Sequence, residues 1–135
     1  MAENRQSFRI SKKTEVSGVK RQIDFQVEKD GETGNIVLQI QENTKRVLNI
    51  SVHRTLEESE GNKYYKFTID VDSENKNFKV ELTTEIHDLT KIDFKWLSMT
   101  ERVLTKSFEE FSVETNVRQF VRDLFLFIEE SVGLP

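Results

Sequence analysis

The sequence predicts an α+β fold: a meander-like antiparallel sheet of about six strands over residues 7–88, covered on one face by two C-terminal helices over 90–111 and 112–132. Three observations predict it. Apolar and polar residues alternate through the front two-thirds of the chain, turn residues interrupt that alternation at short intervals, and the period changes after about Thr90.

Phe8 and Ile10 open the alternation, with Arg9 between them. Ile23, Phe25 and Val27 follow, separated by Asp24 and Gln26, then Ile36, Leu38 and Ile40. Leu48, Ile50 and Val52 form the next set, with Asn49, Ser51 and His53 on the other face. Tyr65, Phe67, Ile69 and Val71 alternate with Lys66, Thr68, Asp70 and Asp72, and Phe78, Val80, Leu82, Thr84 and Ile86 with Lys79, Glu81, Thr83, Glu85 and His87. Asp30-Gly31, Gly34-Asn35, Asn43-Thr44, Glu60-Gly61-Asn62 and Ser73-Glu74-Asn75 supply the turn chemistry between strands. Links this short make sequence neighbours pair as antiparallel hairpins. Such a sheet keeps one polar face in water and needs cover on the other.

From Thr90 to Phe111, Ile92, Trp96, Met99 and Val103 recur at three- and four-residue steps, with Leu97, Leu104, Phe108 and Phe111 beside them. Ser112 is the expected N-cap of the second helix, and Gly133 its stop. Residues 1–135 then read as one domain, two layers thick.

The composition narrows the function. At 135 residues with 10 Phe, the chain builds one core. It holds no apolar run of transmembrane length, and its start has no apolar signal segment. The lack of cysteine excludes disulfides, thiolate metal sites and a cysteine nucleophile. The expected location is intracellular and soluble. Net charge is −4, unevenly spread: residues 1–55 carry 10 basic against 7 acidic side chains, and residues 56–88 carry 4 against 9.

No motif for phosphate cradling, nucleophilic catalysis or zinc hydrolysis occurs, and no cofactor or catalytic residue is expected. Histidine is the side chain that titrates near neutrality, and the chain has two, His53 and His87, both on the polar parity of their strands. With Asp70, Asp72 and Glu85 they read as solvated sheet residues, and no metal site is expected. The non-enzymatic readings are three. The leading one is a protein-interaction or oligomerisation module docking through the apolar C-terminal helix, where Leu126 and Phe125 lie beside Arg122 and are followed by Val132. The second is a carrier of a small apolar ligand lined by Phe25, Phe67, Phe78, Phe108 and Phe120. The third is a nucleic-acid-binding domain using the basic doublets Lys12-Lys13, Lys20-Arg21 and Lys45-Arg46 at strand ends or turns, with Tyr64 as a stacking platform.

Strands first and two helices last, in an acidic chain, resembles the architecture of the mitochondrial acidic matrix proteins. The chain lacks that family's N-terminal helix, long acidic loops and helix-pair spacing, so no site residue carries over.

Overall fold

A computed structural model describes residues 5–74, 76–85 and 88–110 together with the single positions 119, 122 and 123. The chain divides into two compact units, Met1–Glu85 and Ile86–Pro135.

The first unit is a six-stranded antiparallel meander in sequence order: β1 (Arg5–Val16), β2 (Val19–Asp30), β3 (Thr33–Glu42), β4 (Lys45–Ser59), β5 (Asn62–Ser73) and β6 (Asn77–Thr84). The register places the alternating apolar residues in continuous cross-strand rows. One row runs Ile10–Phe25–Leu38–Ile50–Val71–Phe78, and the next Phe8–Val27–Ile36–Val52–Ile69–Val80. In β2 to β5 these side chains are buried. The polar parity of the same strands is only half-buried, because neighbouring long polar side chains cover one another; Gln22 and Gln26, for example, donate to Asp24 and Glu28.

Turn chemistry explains the tight hairpins. Ser17-Gly18, Asn43-Thr44 and Glu60-Gly61 each have both residues at positive φ, the mirror-image turn whose twist matches the flanking strands. At the β2–β3 turn Gly31 has a positive φ of 60° and Glu32 follows. Gly34-Asn35, expected in that turn, lies instead inside β3, opposite Arg54 and His53. β1 is also longer than the Phe8–Ile10 pattern shows. Lys12 and Thr14 continue its inner parity, so apolarity fades while backbone pairing persists to Val16 and Val19. In β4, Arg46 pairs with Gln41 and Leu48 with Ile40, leaving Val47 as an extra residue. That bulge turns Arg46 onto the polar face; without it, Arg46 would share the inner parity of Leu48 and Ile50.

Among the described residues one cation is buried on this face. Arg54 is 0% exposed, and its guanidinium donates to the carbonyls of Glu32 at 3.0 Å and Gly31 at 2.9 Å. Gly34, directly opposite, places no side chain on that face, which leaves the fork a path to the β2–β3 turn.

In the second unit, α1 (Leu89–Glu110) reproduces the first expected helix to within a residue at each end. Asp88 caps it: Thr90 N–H donates to its Oδ1 at 3.0 Å, and Ile92 N–H to its carbonyl at 3.0 Å. Ile92, Trp96, Leu97 and Leu104 are buried as patterned, but Asp93, Thr100 and Ser107 are buried with them, while Met99 and Val103 lie at the margin. Thr100 is accommodated by donating its hydroxyl to the Trp96 carbonyl at 2.8 Å. Among the described residues there is one helix rather than the two expected. The second expected span, 112–132, falls outside them except for Gln119, Arg122 and Asp123, whose backbones are helical. Gln119 Nε2 donates to Asp123 Oδ1 at 2.9 Å, four residues on. No helix among the described residues is long and apolar enough to cross a membrane.

Candidate functional site

Any open sheet has two edges, and the backbone groups on their outer sides are a template for another strand. Here the edges are β1 and β6, and they differ in chemistry. β1 carries Lys12 on its inner parity and Arg9 and Lys13 on its polar parity, charges that oppose pairing with a foreign strand. β6 has no inward charge, no proline and no bulge. Its inner parity is Phe78, Val80 and Leu82, exposed at 45%, 39% and 43%, although they stand opposite the buried Val71, Ile69 and Phe67. The apolar rows therefore run out to solvent at β6. Lys79 and Glu81 occupy its other face, with Lys66 Nζ 3.8 Å from Glu81. Strand periodicity marks Phe78, Val80 and Leu82 as core. The expected meander makes the last strand an edge, but periodicity gives no sign that its apolar residues stay exposed.

The second assembly is electrostatic. Pairing brings Lys13, Gln22, Gln41 and Arg46 into one row on the polar face, with Lys20 opposite Glu15 on the same parity, and Thr14, Arg21, Glu42 and Lys45 into the next row, on the inner parity. The three basic doublets thus meet at one end of the sheet, around an open cleft of about 350 Å³ lined in part by Lys13, Lys20, Arg21 and Gln41. Lys12-Lys13 lies inside β1 rather than at a strand end, and Lys12 takes the inner parity, away from Lys13. Acidic partners moderate the cluster: Arg21 pairs with Glu42, and Lys45 Nζ is 3.0 Å from Glu74 Oε1. Tyr64, the expected stacking platform, pairs with Glu57 at the opposite end of the sheet. Arg46 and Glu57 are eleven residue steps apart along β4, roughly 35 Å at strand rise. The aromatic and the basic doublets are not one site.

The proposed ligand-cavity residues also disperse. Phe25 and Phe67 are fully buried, but β3 and β4 stand between them, roughly 14 Å across the sheet, and Phe67 lies four residues from Val71 of Phe25's row, roughly 13 Å further along. Phe78 is exposed, and the side chains of Phe108 and Phe120 fall outside the described residues, as do Phe125, Leu126 and Val132. Arg122 is exposed. His53 is exposed on the polar face opposite Thr68, while Asp70 and Asp72 stand opposite Ser51 and Asn49; His87 lies outside the described residues. Among the described residues no three His, Asp or Glu side chains come together to hold a metal ion.

No family model matches the chain, and neither a curated protein nor a solved structure matches it. The likeness to acidic matrix proteins therefore rests on the order of elements alone.

Proposed function

We propose that the chain is a non-enzymatic protein-interaction module whose contact surface includes the β6 edge. One observation supports this above others: β6 ends the sheet with three exposed apolar side chains in a row and no inward-pointing charge, whereas β1 carries Lys12 on its inner parity. Strand addition at such an edge gains affinity from main-chain hydrogen bonds and specificity from alternate side chains. The apolar C-terminal span, with Phe125, Leu126 and Val132 beside Arg122, is a second contact surface of the same proposal on the strength of its sequence. A second helix over 112–132, a two-layer single domain over 1–135 and an intracellular location complete the proposal, likewise from sequence patterning. Sedimentation velocity on the full chain tests the edge. The wild type is expected to show a reversible species larger than the monomer, and Val80→Lys, which copies the guard on β1, to remove it. An unchanged distribution in Val80→Lys would count against the edge as the docking surface.

Nucleic-acid binding is the second reading, supported by the convergence of Lys13, Lys20 and Arg46 on the polar parity at one sheet end. A cluster of this kind binds through phosphate, so its affinity falls steeply with salt. A small apolar ligand among the phenylalanines is the third, and no particular observation favours it.

A further inference from the structure

If β6 is the docking edge, its own sequence names the partner. We propose that the edge takes the β6 strand of a second copy of this chain, antiparallel, with Val80 opposite Val80 of the partner copy. The inference rests on the edge reading above and adds a register to it.

In a two-fold pair of antiparallel strands, residues directly opposite one another lie on the same sheet face. Phe78, Val80 and Leu82 share one face of β6, and Lys79 and Glu81 the other. Only registers that pair even positions with even ones keep apolar against apolar. Centring the pair on position 79 puts two lysines face to face; centring it on 81 does the same with two glutamates. Centring on Val80 sets Lys79 against Glu81 of the other copy twice, and Phe78 against Leu82 twice, with Asn77 against Thr83 at the ends. Of these three registers it alone matches opposite charges on one face and bulk on the other. The two sheets then become one continuous sheet, and the exposed ends of the apolar rows abut.

The edge guarded by Lys12 does not offer this match, so the pairing closes at two copies instead of propagating into a fibre. An eight-residue strand buries modest area, and the dimer is correspondingly reversible.

Charge reversal on the full chain tests the register. Lys79→Glu alone sets glutamate against glutamate, and Glu81→Lys alone sets lysine against lysine, each twice per dimer. Each single variant is expected to weaken self-association by roughly tenfold at low ionic strength, from cross-strand charge pairs of ordinary strength. The double variant Lys79→Glu/Glu81→Lys restores it. Mixing the two single variants in equal amounts also restores it, as a mixed dimer. Circular dichroism checks that each variant is folded; rescue by the double variant reports on the register, and rescue by mixing, which pairs an all-acidic strand face with an all-basic one, shows that the losses are electrostatic. Association that disappears in Val80→Lys but ignores both reversals overturns the register and leaves the edge reading standing. Association that survives Val80→Lys refutes the edge reading itself. A wild type that stays monomeric at every accessible concentration overturns the assignment to a second copy.

Discussion

Arg54 Nε donates to the carbonyl of Glu32 at 3.0 Å, twenty-two residues back along the chain, from a position with no exposure to solvent. A buried guanidinium is tolerated because the second donor of its fork meets the Gly31 carbonyl, so one side chain ties β4 to the β2–β3 turn. Replacing Arg54 by Leu leaves both carbonyls without that donor. The expected loss of stability is about 3 kcal/mol in urea unfolding. Arg54→Lys is expected to recover less than half, because an ammonium cannot reproduce the two-pronged geometry.

The β3–β4 turn carries two opposed predictions. Asn43 sits at φ 52°, accepts from Lys20 N–H through its Oδ1 at 3.0 Å and donates its own N–H to the Lys20 carbonyl at 2.8 Å. Asn43→Ala removes the side-chain bond and the tolerance for that backbone, and should lower stability by about 1.5 kcal/mol. Thr44 holds a β-branched side chain at φ 69°. Thr44→Gly relieves that conformation and should raise stability by about 1 kcal/mol. Thermal unfolding of both variants checks the pair, and equal shifts in one direction would contradict the account of this turn.

Asn49 stands mid-strand in β4, between Gln39 and Asp72, with its Oδ1 buried and lacking a hydrogen-bond partner. Asn49→Thr exchanges that orphaned acceptor for a residue suited to a pleated surface, with an expected gain of about 1 kcal/mol. A loss instead would mean that the amide contributes more than its geometry shows.

At the head of α1, Asp88 accepts from Thr90 N–H in the N-cap position. Asp88→Ala should cost about 1 kcal/mol and fray the first turn, while Asp88→Ser should retain most of the stability. Far-ultraviolet circular dichroism during thermal unfolding separates the two variants.

These residues also mark where the sequence was readable. The parities of β2 to β5 and the length of α1 follow from periodicity, because the large apolar residues of each element recur at the strand or helix period over several pleats or turns. Three features do not. The bulge at Val47 leaves no local signature, since Lys45, Arg46 and Val47 read equally well in either register. Asp93, Thr100 and Ser107 are buried on α1, because their small polar groups can be satisfied locally, as the Thr100–Trp96 bond shows. The exposure of Phe78, Val80 and Leu82 leaves no mark either, since they alternate just as Phe67, Ile69 and Val71 do in a central strand. The basic sheet end was half legible: the doublets were visible in sequence, but their convergence and their separation from Tyr64 required the register.

Amide hydrogen exchange along Asn77–Thr84, measured on the full chain at a low and a high protein concentration, shows whether a strand adds to the β6 edge. Alternate amides of β6 point towards β5 and the rest point outward. Strand addition at this edge predicts that the outward set slows markedly at high concentration while the inward set keeps its protection. Outward amides that exchange equally fast at both concentrations would contradict it.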